Sequence, residues 1–102
     1  MRSQFEIEQV IESRLRSYLS RDKTGIRREV LRFLLRIRQT TIADILAGLK
    51  EQFSVSFHTI ASMVGIIASR IGILKVSRSA GGVTTYELKE KYTSMVVRLV
   101  GA

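Results

Sequence analysis

TTIADILAGLKEQFSVSFHTIASMVGIIASRIG, running from Thr40 to Gly72, decides the fold. It holds two apolar-periodic segments separated by a short corner, Phe53-Ser-Val-Ser56. Thr41, with Asp44 three positions later, matches the aspartate form of the box that opens a helix. From there to Phe53, residues Ile42, Ile45, Leu46, Leu49 and Phe53 recur on one side, as an amphipathic helix requires. Ser56 opens a second helix whose inward stripe is Ile60, Val64, Ile67 and Ile71, and Gly72 ends it. Projected at about 100° per residue, the opposite face carries His58, Ser62, Gly65 and Ser69, with Thr59 and Ile66 at one margin. That face is small and nearly uncharged. Two helices around a four-residue corner make a helix-turn-helix.

Outward from this pair, Ile73 to Arg78 alternates with Leu74 and Val76 on one side, and Val83 to Lys89 alternates with Tyr86 and Leu88. Ser79-Ala-Gly-Gly82 between them tolerates positive φ, so the two runs read as an antiparallel hairpin. Upstream, Arg38-Gln-Thr40 has room only for a connector or one short strand. Before it, Ile26, Val30, Phe33, Leu34 and Ile37 form the buried stripe of a helix beginning near Thr24, with Asp22 or Thr24 as its cap. Residues 4–20 form an N-terminal helix through Ile7, Val10, Ile11, Leu15, Tyr18 and Leu19, and residues 90–100 form a C-terminal one through Tyr92, Met95, Val96, Leu99 and Val100. The last is rich in β-branched residues and needs a packing partner to hold its helix.

The expected architecture is mainly α with a small β-hairpin, in one domain spanning residues 1–102. A chain of 102 residues with 45% hydrophobic content builds one core. It has no cysteine and no proline. Disulfides, thiolate metal sites and cysteine nucleophiles are thereby excluded. No apolar run reaches the roughly 20 residues of a membrane span, and residues 1–20 lack a signal-peptide core. The expectation is a soluble, cytoplasmic protein.

Formal net charge is +8, which favours a polyanionic partner. Residues 14–38 concentrate it, with Arg14, Arg16, Arg21, Lys23, Arg27, Arg28, Arg32, Arg36 and Arg38 against only Asp22 and Glu29. Arg28, Arg32 and Arg36 repeat every four residues, a spacing at which like charges repel by a few tenths of a kcal/mol per pair. The row reads either as a solvated face or as a stripe that tracks phosphates. His58 is the only histidine, and no nucleophile, orienting carboxylate or companion ligands are arranged around it in sequence. An enzyme, a metal site, a cofactor and a small-molecule ligand are therefore not expected. Gly81-Gly82 lacks the Lys-Ser/Thr of a phosphate loop and is a turn.

Taken together, Val55-Ser-Phe-His-Thr-Ile60, Gly72-Ile-Leu74, Gly81-Gly82 and Tyr86-Glu-Leu88 resemble the winged helix-turn-helix regulators of bacteria and archaea, small archaeal winged-helix proteins among them. The resemblance covers residues 24–89 and leaves the first and last helices as additions. It implies that the helix starting at Ser56 enters the major groove of duplex DNA with His58, Thr59 and Ser62 at base edges. By the same resemblance the wing, with Arg78 and Ser79, reaches the neighbouring backbone. Thr40, Thr41 and the free amides at the start of that helix hold a phosphate, and Arg27, Arg28 or Lys75 add others. Arg32 joins them if the arginine row tracks phosphates. One departure matters: residues 55–69 contain no Arg, Lys, Asn or Gln, the side chains that make bidentate base contacts. The expectation is therefore a transcription regulator that binds DNA mainly through charge. The terminal helices suit a homodimer, and the alternative is a protein-docking module on the same scaffold, for which Ile66 is the expected contact.

Overall fold

The computed structural model describes residues 3–101; residues 1, 2 and 102, Arg2 among them, lie outside that range. Helix α1 (Gln4–Ser20) starts where Ser3 accepts a hydrogen bond from the Glu6 amide and donates its own hydroxyl to the Glu6 carboxylate. It is followed by α2 (Ile26–Arg36), α3 (Ile42–Leu49) and α4 (Phe57–Ile66). Two strands, β1 (Leu74–Arg78) and β2 (Thr84–Leu88), and α5 (Thr93–Val100) complete the order, with a single 3-10 turn over Glu90–Tyr92. The sheet is antiparallel, with Leu74 opposite Leu88, Val76 opposite Tyr86 and Arg78 opposite Thr84.

Each junction has a local cause. Asp22 caps α2: its carboxylate accepts from the amides of Gly25, Arg27 and Arg28, placing negative charge at the helix start. Thr41 caps α3 through the Asp44 amide and Ser56 caps α4 through the Thr59 amide. Beyond Ile66 the helix widens into a π turn over Ile67–Ile71, closed by the Gly72 amide on the Ile67 carbonyl. Gly72 then reverses the chain at φ 84°, a conformation that disfavours any side chain.

Thr40 occupies the short-strand option. Its amide donates to the Tyr86 carbonyl at 3.0 Å and its carbonyl accepts from the Tyr86 amide at 2.8 Å. Tyr86 is thus held between Thr40 on one side and Val76 on the other. The hairpin is thereby fixed to the start of α3 at Tyr86, while Val76 opposite it and Val83 beside the turn stand exposed.

The core joins Leu15 of α1, Val30 and Leu31 of α2, Ile45 of α3, Ile60 and Val64 of α4, Ile67, Ile73, and Val96 and Val100 of α5, all fully buried. Two positions depart from the sequence reading of α2. Ile37 is 43% exposed, because the helix ends at Arg36 and Ile37 is already extended. Leu31, outside the expected stripe, is fully buried because α5 packs on that second face of α2. The helix expected to run to Phe53 ends at Leu49, and residues 50–53 turn back with the Phe53 amide on the Leu49 carbonyl. Among the described residues no helix is long and apolar enough to cross a membrane.

Candidate nucleic-acid interface

The outer face of α4 is presented as its spacing predicts. His58, Ser62, Gly65 and Ser69 are exposed, and a Cβ added at Gly65 would meet nothing within 4 Å. Thr59 is half-buried and shares a hydrogen bond with the Ser56 hydroxyl at 3.1 Å. The exposed hydroxyl of Ser62 has no hydrogen-bonding partner among the described residues. Ile66 differs from expectation: it is half-buried at the end of α4, where α1 packs against the π turn that follows.

The hairpin supplies a second group. Lys75, Arg78 and Ser79 are exposed. Ser79 builds the tip: its hydroxyl accepts from the Val83 amide at 3.2 Å, and its carbonyl accepts from the Gly82 amide at 2.9 Å. Lys75 sits across the ladder from Glu87, which also pairs with Arg38 at 3.1 Å. Positive charge along the hairpin is thus partly offset at its base and least opposed at Arg78.

Four of the expected phosphate contacts have partners within the protein. Thr40 is 2% exposed, sealed by the strand pairing that anchors the hairpin, and does not reach a ligand. Arg27 donates to the Tyr18 carbonyl at 2.9 Å and lies over the Tyr18 ring at 4.6 Å. Arg28 donates to the Leu99 carbonyl at 3.2 Å, and Arg32 to the Val100 carbonyl at 2.9 Å while also pairing with Glu29. The last carbonyls of a helix lack intrahelical donors and carry its negative dipole end, so a guanidinium satisfies both at once. Two members of the arginine row, Arg28 and Arg32, thus cap α5. Arg36, the third, stands over the Phe33 ring.

A cationic groove of about 710 Å³, not expected from the sequence, lies between the second half of α1, the start of α2, the end of α4 and the π turn. Arg14, Arg21, Arg27 and Arg70 line it with Ser17 and Ser69, and no carboxylate does. Arg14 is braced by donating to the Arg70 carbonyl at 3.1 Å. A faint signal existed in the sequence, since Arg14 on α1 and Arg21 at its C-terminal cap are seven residues apart, but Arg70 joins them only through the packing of α1 on the π turn.

Tyr18, beneath Arg27, is 6% exposed and its hydroxyl has no partner among the described residues. Burial pushes its pKa up to about 12, against the lowering effect of the Arg27 charge. The phenol therefore stays protonated across the physiological range and keeps the cost of an unpaired buried hydroxyl. Tyr18→Phe should raise stability by about 1 kcal/mol in urea unfolding; a loss of that size would mean that the hydroxyl is satisfied in solution.

On the far side of α1, Glu12 bridges Arg98 of α5 at 2.7 Å and Arg16 at 3.0 Å. Arg98 first, then Arg16, holds its carboxyl below the ordinary value. This ties the two terminal helices together, away from α4. No group of three or more His, Cys, Asp or Glu suited to a metal occurs among the described residues.

A family model described as "Protein of unknown function (DUF2551)" matches residues 15–96. A protein of Archaeoglobus fulgidus, named "Uncharacterized protein", is 43% identical over 91 residues, covering 88% of this chain and 92% of its own length. No solved structure matches the chain.

Proposed function

The chain belongs to the DUF2551 family, and for this member we propose a winged helix-turn-helix that binds duplex DNA and regulates transcription. The order of α2, the Thr40 bridge, α3, α4, β1 and β2 supports the fold. One observation carries the function: the exposed face of α4, small and free of acids, is accompanied by a cationic wing tip at Arg78 and by an arginine groove that Ser69 lines. A helix with such a face fits a major groove closely, and the flanking cations supply the charge that attracts phosphates. Because α4 offers no bidentate base reader, affinity rests on charge and shape more than on sequence.

Contacts along α4 are then made by His58, Thr59 and Ser62, with the hydroxyls of Thr41 and Ser56 near helix starts and with Lys75, Arg78 and Ser79 from the wing. Phe5, 66% exposed on the first turn of α1, supports a homodimer through the terminal helices.

Ser62→Glu tests this reading. The site is exposed, so folding should be preserved, and a carboxylate facing the duplex should weaken binding by tenfold or more in fluorescence anisotropy. Unchanged affinity would remove α4 from the interface.

A further inference from the structure

We infer that the groove lined by Arg14, Arg21, Arg27 and Arg70 seats backbone phosphates of the same duplex that α4 faces. The inference rests on the duplex-binding reading and names a contact which that reading alone does not require. Its first support is charge. Four guanidinium groups share one groove with no carboxylate in its lining. Asp22, the one acid of the α1–α2 connection, is turned to three backbone amides of α2. Uncompensated like charges raise the free energy of the folded chain, and an anion between them removes that cost.

A second support is preorganisation. Arg14 and Arg27 each commit one nitrogen to a main-chain carbonyl, those of Arg70 and Tyr18, and the Arg27 guanidinium also lies over the Tyr18 ring at 4.6 Å from its centre. A planar guanidinium fixed along one edge still offers donors along another, the arrangement that suits phosphate oxygens. Arg21 and Arg70 have no intramolecular side-chain partner among the described residues and remain available to close over the anion. Ser17 adds a hydroxyl on the same wall.

Position supplies the third support. Ser69, exposed on the π turn that continues α4, donates its hydroxyl to the Gly65 carbonyl at 2.6 Å and lines the groove, so a strand lying along the exposed face of α4 continues into it. Phosphodiester and free phosphate share the chemistry that the groove recognises, but continuity with α4 assigns it to the backbone. The phosphate contacts first expected from Arg28 and Arg32 move to the α1 side of α4.

The test is the salt dependence of binding to a random-sequence duplex, for wild type and for the double variant Arg21→Gln/Arg70→Gln. Neither side chain holds the fold. Each phosphate contact contributes about −0.9 to the slope of log K against log salt, so the variant should be shallower by roughly 1 to 2 and bind several-fold more weakly at about 0.1 M salt. The control Arg16→Gln/Arg98→Gln removes two cations from the Glu12 bridge, outside the groove, and should keep the wild-type slope. Wild-type binding with an unchanged slope in the groove variant would overturn this inference alone. Absence of wild-type binding would overturn the duplex reading and this inference together. Unchanged duplex affinity with loss of inorganic tripolyphosphate binding, followed by calorimetry, would assign the groove to a free phosphate and overturn the backbone assignment.

Discussion

Leu31→Ala should destabilise the protein by about 3 kcal/mol, the middle of the range for emptying a fully buried leucine site. Leu31 is fully buried and lies on the face of α2 that α5 covers. Removing its branched end opens a cavity at the main attachment of a helix that is weak by itself. Domains of this size hold about 5–15 kcal/mol in total, so the loss should lower Tm by more than about 10 °C. Ile37→Ala is the matching control. Ile37 is 43% exposed and its truncation should cost less than about 1 kcal/mol. Urea unfolding with an unchanged m-value reads both directly. If Ile37 proves the costlier of the two, α2 continues past Arg36 in solution and α5 does not sit on Leu31.

Arg28→Ala/Arg32→Ala should cost about 2 kcal/mol of stability while reducing duplex affinity less than the loss of Arg21 and Arg70. The two guanidinium groups donate to the Leu99 and Val100 carbonyls, the last turn of an eight-residue helix of sequence TSMVVRLV. Hydrogen bonds from a charged donor contribute roughly 1.5–3 kcal/mol each when shielded, and partial exposure of both side chains reduces that here. Amide exchange in α5 should accelerate before that in α2 or α4. Unchanged stability together with a large loss of DNA affinity would restore the arginine row as the phosphate stripe and detach it from α5.

The architecture was legible wherever periodicity and punctuation agreed. Ile60, Val64, Ile67 and Ile71 are buried as their spacing predicts, Thr41 and Ser56 cap the helices they precede, and the hairpin pairs across Ser79 to Gly82. What escaped depends on contacts between segments far apart in the chain. Arg28 meets the Leu99 carbonyl across 71 positions and Arg14 meets that of Arg70 across 56, and main-chain acceptors at helix ends leave no mark in side-chain patterning. The second buried face of α2 was hidden for the same reason, since Leu31 has a place in the core only after α5 returns. The π turn at Ile67–Ile71 preserves the apolar order of the helix, so residue spacing alone does not show it. Half of the candidate interface, the α4 face and the hairpin tip, follows from local sequence. The other half, the arginine groove, exists only once α1 packs against the π turn after α4.

Fluorescence anisotropy of a labelled random-sequence duplex, titrated with the wild-type protein at several salt concentrations, tests whether the protein binds DNA through its charge. The expected result is binding whose log K falls linearly with log salt, steeply enough to require several phosphate contacts at about −0.9 each. Failure to bind the duplex even at low salt would contradict it, leaving the α4 face and the arginine groove as surfaces for a partner other than DNA.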